Sequence, residues 1–171
     1  MRKLTVFSAL ALLASLTAFT FVPSPAPGPG AIEDMLVNFF KAFDAGDRAT
    51  AHACTVPKDG HFPVLIYDMD LENKPVTVEG SEATKQYLEG LFDGVAKAKA
   101  KVVSKITRIH ADCHSAQLGY ATLEFTQAVT SGEKTEATGY RATALVSYDT
   151  KDQRWRIFHF HASLAPVLPA K

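Results

Sequence analysis

The sequence predicts an α+β domain in which helices come first and an antiparallel sheet comes last. Two stretches of the first hundred residues carry apolar side chains at helical spacing, and long segments of strand-like alternation fill most of the remainder. A third observation is the final strand, around Trp155 to Ser163, whose two faces are both apolar or aromatic. Such a strand lies between two packed surfaces, as in a sheet covered by helices. Early helices and late strands indicate α+β rather than alternating α/β topology.

The first helical stretch has a wide apolar stripe. Its members recur three or four residues apart: Ile32, Met35, Leu36, Phe39, Phe40 and Phe43. Gly46 can end this helix in a left-handed conformation, and Asp47 can cap a short second helix through Ala53. The stripe of the later helix consists of Tyr87, Leu88, Leu91, Phe92 and Val95.

The strands are predicted from alternation and turn residues. Two short strands and then four long ones are expected, at 64–67, 75–78, 102–112, 116–130, 134–148 and 154–164. A tight turn at 131–134 places Glu124 opposite Arg141, and the next turn, at 150–153, places Arg141 opposite Ala162 and Thr143 opposite Phe160. The long strands therefore form an antiparallel meander.

These registers divide the side chains between two faces. The first face mixes polar and aromatic groups, as a pocket does, and carries Tyr120, Thr122, Glu124, Arg141, Thr143, Phe158 and Phe160. The second is mostly apolar and could cover a partner subunit; it carries Leu123, Phe125, Ala142, Ala144, Val146, Trp155, Ile157, His159 and His161. The predicted ligand-binding residues are Glu124, Arg141, Phe160, Tyr120 and Tyr67. Glu124 and Arg141 are expected on the concave side, although a structural cross-strand ion pair is the simpler interpretation.

The N-terminal segment is predicted to lie outside the fold. A basic start precedes an uncharged apolar run from Leu4 to Val22, and a Pro/Gly-rich stretch follows. This order is typical of a secretory signal peptide and linker, so we expect export to the periplasm or the extracellular space, with no stable membrane insertion after cleavage. An uncleaved anchor is the alternative, since the run is nearly long enough to span a bilayer. The expected division is signal peptide and linker at 1–30, domain at 31–165 and C-terminal tail at 166–171.

Charge and cysteine content narrow the possible functions. The chain has 18 basic and 18 acidic residues, and loss of Arg2 and Lys3 with the leader would leave 16 against 18, a net charge of −2. Electrostatic capture of nucleic acid is therefore not expected. In an oxidising compartment Cys54 and Cys113 could form one disulfide or remain free thiols.

The histidines give weak signals for metal binding. His159 and His161 are spaced so that both rings could reach one ligand, but His-x-His lacks a third metal ligand, and histidines hydrogen-bonded within a packed sheet are the simpler interpretation. The cluster of His110, Cys113 and His114 is loosely spaced compared with zinc sites. No metal and no cofactor is expected.

The order of elements, with Tyr140-Arg141-Ala142-Thr143 and the W-x-I-x-H-x-H-x-S pattern beginning at Trp155, resembles the nuclear-transport-factor-2-like superfamily. Within it the chain is similar to the association domain of calcium/calmodulin-dependent protein kinase II and to SnoaL-like proteins, over nearly all of 31–165. The resemblance implies a cone, in which a curved antiparallel sheet wraps around N-terminal helices and leaves a pocket at its open end. It also implies assembly through sheets, so a homodimer is expected.

The association domain, as the resemblance implies, has an arginine-lined pocket for carboxylates. Arg141 matches one of its arginines, whereas Glu124 and Ala162 stand where two others are expected. One cation facing one carboxylate makes a neutral site rather than an anion clamp.

Two functions are consistent with these residues. The first is an exported small-molecule-binding or assembly domain, holding a small polar-aromatic ligand or a partner protein. The alternative is a cofactor-independent, SnoaL-like isomerase, cyclase or hydrolase, with Glu124, Asp68 or a histidine as general base. Glu124 opposite Arg141 favours binding over catalysis, because a paired carboxylate is a poor base near neutral pH.

Overall fold

The computed structural model describes residues 27–55, 64–67 and 76–165, with only the backbone described for 64–67. The elements are α1 (Pro29–Ala45), α2 (Arg48–Thr55), β1 (Val64–Tyr67), β2 (Val76–Glu79), α3 (Ser81–Lys97), β3 (Lys101–Cys113), β4 (Leu118–Ser131), β5 (Lys134–Asp149) and β6 (Arg154–Ala165). The strands form one sheet in the order β2-β1-β6-β5-β4-β3. The predicted α+β class and element order are confirmed. The leader up to residue 26, the tail from 166, and Asp68 lie outside the described residues.

Helix α1 supplies the centre of the core. Ile32 and Leu36 are fully buried, and the Phe40 ring lies 4.7 Å from the ring of Phe125 and 6.5 Å from that of Phe160, centroid to centroid. The apolar stripe that predicted this helix is therefore the face that packs on the sheet. The helix begins at Pro29, inside the predicted linker, where a proline is tolerated because an N–H at that position would have no helical partner.

Both helix boundaries predicted around residue 46 are confirmed. Gly46 has φ 71°, a conformation that glycine adopts without a steric penalty, and its N–H donates to the Phe43 carbonyl. Asp47 then accepts a hydrogen bond from the Thr50 N–H at 3.1 Å, which is the expected cap of α2.

The sheet has one face that packs on the helices, called here the helix face, and an opposite outer face. Residues on the helix face are almost all apolar and buried: Ala121, Leu123, Phe125, Ala142, Ala144, Val146, Trp155, Ile157, Phe160 and Ala162. The outer face bears the alternate residues, which are more polar and more exposed.

The β4–β5 register was predicted correctly, since Glu124 pairs with Arg141. The β5–β6 register was wrong by one residue along most of its length: Arg141 pairs with Ser163, and Thr143 pairs with His161. The register shifts between Leu145 and Val146, where β6 contains one extra residue, Phe158. Such a bulge reverses which face each later side chain occupies.

The structure corrects three expectations about the faces, the first two because of the bulge and the third because the helices cover the opposite face of β4 and β5. Phe160 lies on the helix face and is only 1% exposed, not on the polar face. His159 and His161 lie on the outer face, because they pair with Leu145 and Thr143. Glu124 and Arg141 are also on the outer face, since their neighbours Leu123 and Ala142 point into the core; the expected concave position was wrong.

The edge strand β3 is covered by α1. The Asp44 carboxylate accepts hydrogen bonds from the Ser104 N–H at 2.6 Å and the Ser104 hydroxyl at 2.8 Å. Further along the strand, Glu33 accepts one from the Ala111 N–H at 3.2 Å. Satisfying edge N–H groups in this way blocks strand addition by another chain at β3.

A buried guanidinium ties the β5–β6 turn to α2. Arg156 is 3% exposed; its Nε donates to Asp149 Oδ2 at 3.0 Å and its Nη1 donates to the Ala53 carbonyl at 2.7 Å. A further ion pair joins it to Asp152 in the turn. Arg156 therefore fixes the position of the turn relative to the short helix.

Cys54 and Cys113 are both free thiols. Cys54 is buried beside α1, where its Sγ lies 3.9 Å from the Met35 carbonyl oxygen, and burial raises the pKa of its thiol. Among the helices of the described residues, none is both long enough and apolar enough to cross a membrane.

Candidate functional site

A trough of about 290 Å³ lies on the outer face, across β3, β4, β5 and β6. Its lining is mainly charged or hydroxyl-bearing: Arg108, Thr122, Leu123, Glu124, Arg141, Ala142, Thr143, His161 and Ser163. Cross-strand pairing brings these groups together, because Thr122, Thr143 and His161 stand side by side on successive strands.

Glu124 lies between two guanidinium groups. Its Oε1 is 3.8 Å from Arg108 Nη1 and 3.7 Å from Arg141 Nε. These are ion pairs, but both distances exceed the range of a hydrogen bond. The Arg108 and Arg141 side chains are 75% and 67% exposed, against 33% for Glu124. Two cations around one carboxylate give the trough a net positive charge.

Arg108 was missed by the sequence analysis because of a second bulge. The β3–β4 register shifts between Ile106 and Arg108, so Thr107 is an extra residue and Arg108 pairs directly with Glu124. The Thr107 hydroxyl stabilises the bulge by donating to the Glu124 carbonyl oxygen at 3.0 Å. Side chains of a regular strand alternate between the two faces, so Arg108, six residues after the buried Val102, would have been expected on the helix face.

The histidines extend the polar surface along β6. His161 lines the trough, and His159 lies two residues before it on the same face. Burial, and secondly the charge of His161, lower the pKa of His159. His159 therefore gains a charge at lower pH than an exposed histidine would.

The structure brings only some of the predicted site residues together. Glu124 and Arg141 meet in the trough. Tyr120 lies on the outer face, 37% exposed, but lines a separate hollow at the β3–β4 turn. Phe160 is in the core. Tyr67 pairs through its backbone with Ala162, and its side chain is not among the parts that the structure describes. A pocket at the open end of the cone stays a prediction.

The described residues contain no arrangement of side chains suited to binding a metal ion. Within 27–55 and 76–165, no three His, Cys, Asp or Glu side chains are grouped to hold an ion. His110, Cys113 and His114 do not form such a group.

Comparison with known proteins establishes the fold. The profile of a family described as the SnoaL-like domain matches residues 32–167, whereas comparison with curated proteins gives no match. Among solved structures, a nuclear-transport-factor-2-like family protein from Streptomyces avermitilis is similar, with 12% identity, TM-score 0.67 and coverage of 81% of this chain and 96% of that one.

Two further structures share the fold at low identity. A ketosteroid isomerase-like protein from Erwinia carotovora atroseptica has 15% identity and TM-score 0.58, covering 81% of this chain and 96% of its own. The calcium/calmodulin-dependent protein kinase II hub of S. rosetta has 16% identity and TM-score 0.59, covering 82% and 99%. The resemblance seen in the sequence and the curved sheet around N-terminal helices are thereby confirmed.

Proposed function

Because the chain belongs to the SnoaL-like domain family, we propose that it is an exported binding domain that holds a small carboxylate ligand in the outer-face trough. The fold commonly binds small molecules or acts as an isomerase. The observation that carries the proposal is the placement of Arg108 and Arg141 on either side of Glu124.

The guanidinium groups have donors available for a ligand. Within the described residues, neither Arg108 nor Arg141 donates a hydrogen bond, and each only faces Glu124 at ion-pair distance. A planar guanidinium binds a carboxylate through two parallel hydrogen bonds. The hydroxyls of Thr122, Thr143 and Ser163 line the same trough and can bond the remaining oxygen atoms of a ligand. Arg108 therefore restores the anion-binding character that Arg141 alone would lack.

Assembly would strengthen this site. Exposed ion pairs are weak because water screens them, and both guanidinium groups are mostly exposed. The outer face also exposes Val103, Leu118 and Tyr120, while α1 covers the edge of β3. We therefore propose a homodimer contact on the outer face, and the similarity to hub-like neighbours supports oligomeric assembly in general. A second copy there would exclude water from the trough.

Export rests on the N-terminal pattern alone. A basic start, an uncharged run to Val22 and a Pro/Gly-rich linker support cleavage and release.

The Arg108→Gln and Arg141→Gln variants test the proposed site. Each change removes charge-assisted hydrogen bonds worth about 1.5–3 kcal/mol, so the affinity for benzoate should fall roughly tenfold or more. Benzoate binding is measured by NMR titration. Sedimentation velocity of the full-length chain tests separately whether it forms the expected dimer. Benzamide has the same shape but no charge, and it should bind weakly to every variant.

Lys134→Gln is the matched control, because it removes an exposed cation on the β4–β5 turn whose Nζ pairs with Glu136 at 2.5 Å. It should leave the benzoate affinity unchanged. Equal affinities for benzoate across all three variants, or equal binding of benzamide and benzoate, would contradict an anion site in the trough.

A further inference from the structure

A separate cluster of charged side chains joins α2 to α3. Arg48 forms an ion pair with Glu89, and its Nη2 donates to Asp93 Oδ1 at 2.6 Å. The same guanidinium lies 5.4 Å from the centroid of the Phe92 ring. His52, one helical turn after Arg48, places its Nε2 2.6 Å from Glu89 Oε1. Both carboxylate oxygens of Glu89 are thus engaged by α2.

The arrangement fixes which nitrogen of His52 carries a hydrogen. Hydrogen bonds from His52 and then from Arg48 lower the pKa of Glu89, so its carboxylate is ionised and only accepts. The Nε2 atom must therefore donate. In a neutral imidazole the other nitrogen, Nδ1, is then a hydrogen-bond acceptor.

The Nδ1 atom of His52 is completely buried and has no hydrogen-bond partner in the described part of the chain. Buried polar side-chain atoms are nearly always paired, and an exception calls for a missing partner or a functional role. For the neutral imidazole the missing partner is therefore a hydrogen-bond donor. Because Glu89 and Asp93 lie in the same cluster, an anion would be repelled, whereas a neutral donor would not.

We propose that His52 is the acceptor of a second ligand site, which takes a neutral molecule bearing a hydroxyl or enol group. Glu89 orients the ring and fixes its tautomer, as a carboxylate does for a histidine that accepts protons in enzymes. The site is distinct from the outer-face trough in position and in ligand charge. It goes beyond the proposed carboxylate binding and does not depend on it.

Nitrogen NMR of the full-length chain, with its histidine rings labelled with ¹⁵N, tests this site directly. The free protein should show His52 with hydrogen on Nε2, and phenol should shift the Nδ1 resonance in a saturable way. Toluene matches phenol in shape but has no donor, and it should leave that resonance in place. His52→Gln assigns the signal and should abolish the saturable phenol response while leaving benzoate titration unchanged.

Three results would overturn the proposal. They are hydrogen found on Nδ1 in the free protein, no response of Nδ1 to phenol, and an equal response to toluene. The second result would mean that no hydroxyl ligand reaches Nδ1, and the third that the response does not depend on a hydrogen-bond donor. In Glu89→Gln, loss of the carboxylate should mix the two tautomers of His52 and weaken the saturable phenol response, and a purely structural pair would show only the first effect.

Discussion

The Arg156→Ala variant should be less stable than the wild type by about 3–5 kcal/mol, the usual cost of removing one partner of a buried ion pair. The lost guanidinium is 3% exposed, and it leaves Asp149, itself 5% exposed, without its counter-charge. The Ala53 carbonyl of α2 also loses a hydrogen bond of 2.7 Å. The penalty therefore comes from an uncompensated buried carboxylate as much as from lost contacts.

Urea unfolding followed by the fluorescence of Trp155, the single tryptophan of the chain, measures the change in free energy of unfolding. Arg154→Ala is the control, because Arg154 is exposed on the same strand, and exposed substitutions usually change stability by no more than about 0.5 kcal/mol. A loss for Arg156→Ala as small as the one expected for this control would show that the Arg156 interactions contribute little to stability.

The loss caused by Arg156→Ala should shrink in acid. Burial by itself raises the pKa of Asp149, but hydrogen bonds from the Asp152 and Lys151 N–H groups and from Arg156 together bring it below its ordinary value. A carboxyl group whose pKa is lowered by folding stabilises the protein above its unfolded-state pKa. That contribution disappears as the pH falls through the folded-state pKa.

The Phe160→Ala variant should lose about 3–5 kcal/mol of stability, as large-to-small changes of buried phenylalanines do. Phe160 is 1% exposed, and its ring packs against that of Phe40 in the centre of the core. Truncation removes apolar contacts and leaves a cavity that the sheet cannot close. Thermal and urea unfolding both measure the loss.

Phe158→Ala is the matched control two residues away. Phe158 is the extra residue of the β6 bulge and is only partly buried, so we expect less than half the loss seen for Phe160→Ala. A larger loss at Phe158 than at Phe160 would favour the register without a bulge, in which Phe160 belongs to the polar face.

The elements of this fold could be predicted because their periodicity is strong. Ile32, Leu36 and Phe40 follow helical spacing and are buried as expected, and the turn at 131–134 fixed the pairing of Glu124 with Arg141. Near the next turn the predicted register also holds, since Val146 pairs with Ile157. Turn chemistry acts locally, and it determines pairing until a strand gains a residue.

The bulges could not be predicted, and they determine which side chains of β3 and β6 join Glu124 and Arg141 on the outer face. Phe158 and Phe160 are both phenylalanine, so hydrophobicity could not decide which of them points into the core. At Thr107, a threonine suits either face of an edge strand, and nothing in its neighbours marks an extra residue. As a result the acidic residue and one arginine of the trough were predicted, while Arg108 was not.

Titration of Glu124→Gln with benzoate tests the central claim most directly. Glu124 occupies the space between Arg108 and Arg141, at 3.8 and 3.7 Å, and repels an incoming carboxylate. A charge pair about 4 Å apart in water interacts by ~1 kcal/mol, so loss of the negative charge should raise the benzoate affinity roughly fivefold. Unchanged or weaker binding in this variant, with the protein still folded, would show that the two guanidinium groups do not form an anion site.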